Sequence, residues 1–149
     1  MKIALASDHA GYDLKQEVIK YLQEEDVGIK DFGCYSKQSV NYADFAEKAM
    51  KQVVSNKFDR AVLICGTGIG MSMAANKFKG IRGTLCCDKY MAEMSRLHNN
   101  SNCLTMGGRV LSTEKALNVL ETWLKTEFEG GRHQTRLDKI SEIEEINFK

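Results

Sequence analysis

Arg60-Ala61-Val62-Leu63-Ile64-Cys65-Gly66-Thr67-Gly68-Ile69-Gly70 is the stretch on which the reading of this chain turns. A short apolar run that ends on a cysteine and meets glycine at once reads as a strand buried on both faces. Three glycines at alternate positions then free the backbone to turn its amides toward an anion. The helical run that follows, through Phe78, adds its positive end. The Gly-Lys-Ser/Thr ending of a Walker loop is absent, and Met71 stands where the dinucleotide fingerprint needs glycine. A thiol at a strand end, facing such a helix, is expected to hold useful thiolate. A thiolate beside an amide-lined anion pocket has what enolisation needs. A small buried residue that merely ends a strand would leave the same pattern.

Outward from this stretch, apolar runs alternate with amphipathic ones. Strands are expected at 2–7, 27–32, 60–65, 81–86 and 103–107. Leu14, Val18, Tyr21 and Leu22 recur at helical spacing, as do Phe45, Ala49 and Val53, and later Leu117, Leu120, Leu124 and Phe128. Strands separated by helices imply right-handed crossovers and a parallel sheet covered on both faces. A last helix, roughly 136–146, follows Gly130-Gly131. Its stripe of Leu137, Ile140, Ile143 and Ile146 packs either on the body or on a second subunit. At 149 residues the chain fits one domain spanning 1–149.

A net charge of +1 gives no field that would draw nucleic acid or an anionic membrane. No apolar run approaches a membrane span, and no signal peptide is visible. The five cysteines form no CxxC pair, and the three histidines are scattered singly, so no zinc spacing appears. An odd cysteine count without an export signal fits a reducing cytoplasm.

Parallel sheets of this class bind ligands at the carboxyl ends of their strands. After the first strand comes Ser7-Asp8-His9-Ala10-Gly11, where Ser7 or Asp8 is the expected helix N-cap and His9 has no role in a cap. Ahead of the last strand comes Leu97-His98-Asn99-Asn100, where an asparagine suits a left-handed helix stop and His98 stays unexplained. Gly107-Gly108-Arg109 follows that strand. In Gly130-Gly131-Arg132-His133-Gln134-Thr135-Arg136, two arginines fall one helical turn apart if Arg132 opens the helix. Like charges at that spacing repel by a few tenths of a kcal/mol, and a bound phosphate would reverse the sign. A solvated basic turn is the alternative.

Together these motifs resemble the type-B ribose-5-phosphate isomerases, in the family that also holds galactose-6-phosphate isomerase subunits. The likeness runs nearly end to end. It takes in residues 7–11, Asn41-Tyr42, residues 64–70, Ala74-Ala75-Asn76-Lys77, residues 95–99, Gly108-Arg109-Val110 and residues 129–133. The resemblance implies a flavodoxin-like, Rossmann-like three-layer α/β sandwich with a five-stranded parallel sheet and a C-terminal helix. It implies a homodimer or homotetramer with active sites at the subunit interface, and no cofactor or metal. Cys65 would be the base that moves a proton between C1 and C2. Thr67 would assist transfer between O1 and O2, while the amides of Gly66, Gly68, Ile69 and Gly70 would hold the enediolate. His98, from the partner subunit, would open the furanose ring, with Asn99 beside it. His9, Arg109, Arg132 and Arg136 would hold the phosphate, and Asp8 and Tyr42 would contact sugar hydroxyls. The family often has Asp-Tyr-Pro where this chain has Asn41-Tyr42-Ala43, and the chain contains no proline. Galactose 6-phosphate or allose 6-phosphate is the alternative substrate, and a flavodoxin-like nucleotide-binding module is the alternative of another class.

Overall fold

The computed structural model describes residues 1–148. The chain runs β1 (Lys2–Ser7), α1 (Tyr12–Glu24), β2 (Gly28–Asp31), α2 (Tyr42–Val54), β3 (Arg60–Cys65), α3 (Ile69–Ala75), β4 (Gly83–Leu85), α4 (Lys89–Leu97), β5 (Cys103–Gly107), α5 (Thr113–Lys125) and α6 (Arg132–Asn147). All strand pairs are parallel, in the order β2-β1-β3-β5-β4. The first three positions follow the flavodoxin-like order, and the last two strands are exchanged.

Strand parity sorts the core into two layers. Ile3, Leu5, Val62, Ile64, Leu104 and Met106 face α1, α4 and α5, around the fully buried Trp123. Ala4, Ala6, Ala61, Leu63 and Cys65 face α2 and α3. The small alanines of β1 let α2 settle close to the sheet. Because Cys65 shares the parity of Ala61 and Leu63, its side chain is committed to the α2–α3 face.

The expected strands 2–7, 60–65 and 103–107 coincide with β1, β3 and β5. β2 and β4 are shorter than expected at both ends. Ile81 is buried by a turn rather than by pairing, while Cys86 still donates its amide to the Thr105 carbonyl. Neither Ser7 nor Asp8 is the N-cap of α1. That position is Gly11, and Asp8 instead accepts the Ala10 and Gly11 amides through Oδ1, capping the tight turn ahead of the helix. α3 stops at Ala75, short of Phe78, and Phe128 lies beyond the end of α5. The last helix begins at Arg132, a turn earlier than expected. Of its apolar stripe only Leu137 is buried, whereas Ile140, Ile143 and Ile146 are exposed.

Candidate active site

β1 and its neighbours β2 and β3 create the switch point where the strand order reverses, and the carboxyl ends of β1 and β3 open there. Cys65 closes β3. Its Sγ is buried and accepts a hydrogen bond from the Gly68 amide at 3.1 Å. That contact needs the left-handed conformation of Gly68, at φ 81°. A Cβ at Gly68 would also lie 2.6 Å from Leu85 Cδ1 and 2.8 Å from the Met106 carbonyl carbon. Thr67 is exposed at the tip of the loop, where its Oγ1 accepts the Ile69 amide at 3.2 Å. Two of the amides expected to serve an oxyanion, those of Gly68 and Ile69, are therefore turned onto side chains of their own loop.

Four more of the expected residues stand at the ends of β1 and β5 and at the start of α2. Tyr42 opens α2 and lies so close to Gly70 that a Cβ there would meet its ring at 2.6 Å. The Arg109 side chain crosses Gly66 after β5 and is itself exposed. Asp8 is buried and its Oδ1 is spent on the turn it caps. His9 Nδ1 accepts the Val40 amide at 3.2 Å. In the neutral ring the proton therefore sits on Nε2, leaving a donor for an anion.

The loop that carries Val40 and leads to Tyr42 is anchored from below. Lys15 of α1 is fully buried, pairs with Asp31 at 2.8 Å and donates to the Cys34 carbonyl at 2.5 Å. In α2 Asn41 is the N-cap and accepts the Ala43 amide through Oδ1 at 3.0 Å. An alanine in place of proline brings an extra N–H to this turn, and Asn41 satisfies it.

His98, Asn99, Arg132 and Arg136 form a second group, at the end of α4 and the start of α6. Gly130 and Gly131, both at positive φ, reverse the chain, and the Glu129 amide is tied to the Leu97 carbonyl at 3.1 Å. This brings the His98 and His133 rings into a parallel stack, centroids 4.1 Å apart. Arg132 and Arg136 fall one turn apart on α6, exposed, and no carboxylate among the described residues pairs with either. His133 is buried, which pushes its pKa below the ordinary histidine range. The neighbouring His98, Arg132 and Arg136 push the same way, against an opposing pull from Glu129. No hydrogen bond or ion pair among the described residues joins this group to the Cys65 group.

A family model described as Ribose/Galactose Isomerase matches residues 3–140. The chain belongs to the ribose/galactose isomerase family. It is 44% identical over 147 residues to the ribose-5-P isomerase B of Listeria innocua, covering 99% of each chain. The solved ribose-5-phosphate isomerase B of Clostridium thermocellum superposes with a TM-score of 0.97 at 49% identity, covering 98% of this chain and 99% of that one. A D-erythrulose-4-phosphate isomerase of Pectobacterium atrosepticum is 37% identical, over 97% of this chain and 95% of its own. The protein is an isomerase, and the nucleotide-binding alternative falls away. No helix of the described residues is long and apolar enough to cross a membrane.

In this isomerase, then, the site residues anticipated from sequence separate into two halves. Cys65, Thr67, the glycine loop, Asp8, His9, Tyr42 and Arg109 gather at the switch point. His98, Asn99, Arg132 and Arg136 gather elsewhere. Sequence reasoning passed over Lys15 and Asp31, which look like ordinary surface charges. It also passed over the meeting of His133 with His98. The spacing of Glu129 and His133, four residues apart across a double glycine, is the available signal for the latter.

Proposed function

We propose that this isomerase interconverts ribose 5-phosphate and ribulose 5-phosphate, with Cys65 as the carbon base. The observation that carries the reading is a buried thiol at the switch point, met at 3.1 Å by the amide of a glycine loop against which Tyr42 and Arg109 pack. In the open aldose the thiolate takes the proton from C2, and the C2–H electron pair forms the C1–C2 double bond. Charge collects on O1, where amides of the glycine loop not already spent on Cys65 and Thr67 receive it. Thr67 moves a proton from O2 to O1, and the thiol returns its proton to C1, giving the ketose. His9 and Arg109 take the phosphate, while Tyr42 and the free oxygen of Asp8 take hydroxyls. All of this is supplied by side chains and amides, with no cofactor.

The second half completes the site from a partner chain, in a homodimer or a pair of dimers. His98 then protonates the ring oxygen to open the furanose, Asn99 stands beside it, and Arg132 and Arg136 close on the phosphate. Exposed Ile69 and Met73 on α3, and Tyr90 and Met91 on α4, support this arrangement. Leu85 joins the hollows they line into one apolar surface, with Asn99 at its rim. Five unbridged cysteines fit a reducing cytoplasm.

The test is Cys65→Ala in a metal-free assay. Turnover of ribose 5-phosphate and exchange of the C2 proton with solvent deuterium should both vanish, while phosphate-ligand binding persists. Near-normal turnover in the variant refutes the assignment. Galactose 6-phosphate and allose 6-phosphate, run side by side with ribose 5-phosphate, decide chain length.

A further inference from the structure

His133 contributes nothing to the mechanism above, yet it is among the most confined polar groups in the molecule. Its ring is 3% exposed. Its Nε2 is buried without a hydrogen-bond partner, and the nearest carboxylate oxygen, Glu129 Oε2, lies 3.5 Å away. An orphaned buried nitrogen costs free energy unless something binds it. One ligand atom each from His98, Glu129 and His133 lies within 4.8 Å of the other two. Two nitrogens and an oxygen at 2.0–2.1 Å from one tetrahedral ion would be about 3.3 Å apart. The present separations reach beyond that, and a turn of one imidazole ring closes them.

We propose that His98, Glu129 and His133 form an inhibitory binding site for a divalent transition-metal ion of the zinc type. Two imidazoles select such an ion over magnesium or calcium, which prefer oxygen. The unpartnered Nε2 of His133 offers the lone pair such an ion needs. The stacked rings point their lone pairs side by side, so one ring must swivel. His98 is the one able to do so, because it is half-exposed at the end of α4. Arg132 and Arg136 lie near His133 and oppose a cation, so the Glu129 carboxylate is a necessary ligand. Three protein ligands leave a fourth position for water or a substrate oxygen. The singly scattered histidines hid the site: its nitrogens come from positions 98 and 133, joined only by the Gly130-Gly131 reversal.

The inhibitory consequence rests on the ring-opening role proposed for His98, and the binding does not. The measurement uses the full chain with Cys87→Ser, which removes the exposed thiol, stripped with chelator and held in phosphate-free buffer. Zinc is titrated calorimetrically, and cobalt is added as an optical probe. One zinc per chain, with a cobalt spectrum of nitrogen and oxygen ligands, supports the site. Both His133→Asn and Glu129→Gln should weaken zinc by about tenfold or more, the loss that even the partners behind metal ligands cost when replaced. Glu129 is exposed, so its substitution decides the matter even where His133→Asn fails to fold. Binding that survives Glu129→Gln, or a thiolate-to-cobalt charge-transfer band, overturns the proposal. Zinc should also inhibit ribose 5-phosphate turnover, and Glu129→Gln should relieve that inhibition. Zinc bound as described with turnover undiminished would uphold the site and refute the role of His98.

Discussion

Gly68 and Gly80 provide a matched pair in which backbone strain and active-site geometry come apart. Both are left-handed, at φ 81° and 80°. A Cβ at Gly80 meets nothing within 4 Å, whereas at Gly68 it falls 2.6 Å from Leu85 and 2.8 Å from the Met106 backbone. Gly80→Ala therefore costs only the left-handed conformation of an L-residue, about 1 kcal/mol. Gly68→Ala adds overpacking against a strand that cannot yield, about 1–3 kcal/mol more. The sum of about 2–4 kcal/mol leaves an ordinary domain folded at 25 °C. Relief of the clash must come from the loop, which withdraws the Gly68 amide from Cys65 Sγ. Losing a charge-assisted hydrogen bond to the thiolate costs about 1.5–3 kcal/mol, which lowers the thiolate available as base, and with it kcat, by roughly 10–10²-fold. Urea unfolding and steady-state kinetics on both variants supply the numbers. Gly80→Ala should shift the midpoint slightly and leave kcat alone, while Gly68→Ala should lose both. If Gly68→Ala loses stability as worked out but keeps wild-type kcat, the amide facing Cys65 has no part in catalysis.

Arg136→Ala should raise KM strongly with a smaller effect on kcat, and should weaken inhibition by inorganic phosphate; unchanged phosphate inhibition removes Arg136 from the phosphate site. His98→Asn should cripple turnover of ribose 5-phosphate and slow far less a four-carbon aldose phosphate, which cannot close a furanose through its phosphorylated oxygen. Comparing kcat/KM for the two substrates is decisive, since equal losses would put His98 in the chemical step or in binding. If the wild type refuses the short substrate, a pre-opened five-carbon analogue takes its place. The pKa of His133 is depressed in the folded chain, so the stability this contributes is present above the ordinary histidine value of 6.5 and is lost as pH falls below it. His133→Gln should flatten that acid limb in urea titrations, and an unchanged slope would show that protonation of His133 is not resisted by the fold.

What could be read from the sequence was what local pattern determines. β1, β3 and β5 are apolar runs cut off by polar residues or glycine, and their bounds are visible because both faces are buried. β4 is blurred because Ile81 is buried by a turn, and Cys86 keeps one hydrogen bond to β5 beyond the end of the strand. The turn after β1 was misread because a capping aspartate looks the same whether it caps a helix or the turn before one. Asn100, left-handed at φ 45°, is the helix stop its residue type suggests. Lys15 lay beyond sequence reasoning, since nothing in an amphipathic helix shows which lysine will be sealed under a loop. The His98–His133 stack is likewise tertiary, set by two glycines and one backbone hydrogen bond rather than by spacing.

The exchanged order of β4 and β5 has a consequence for how the molecule comes into being. β4 pairs with β5 and with no other strand, and β3 keeps one edge open until β5 arrives. A nascent chain that has emerged only as far as residue 102 holds Cys65, its glycine loop and four of the five strands, yet cannot close the sheet. Gly107, against which Thr67 packs, is then still missing. The insertion of one late, central strand thus closes the sheet and gives the loop after Cys65 the backbone against which Thr67 and Gly68 pack. Until that moment Cys65, the proposed carbon base, lacks the packing that β5 gives its loop. The rate of synthesis between residues 65 and 107 sets how long that window lasts.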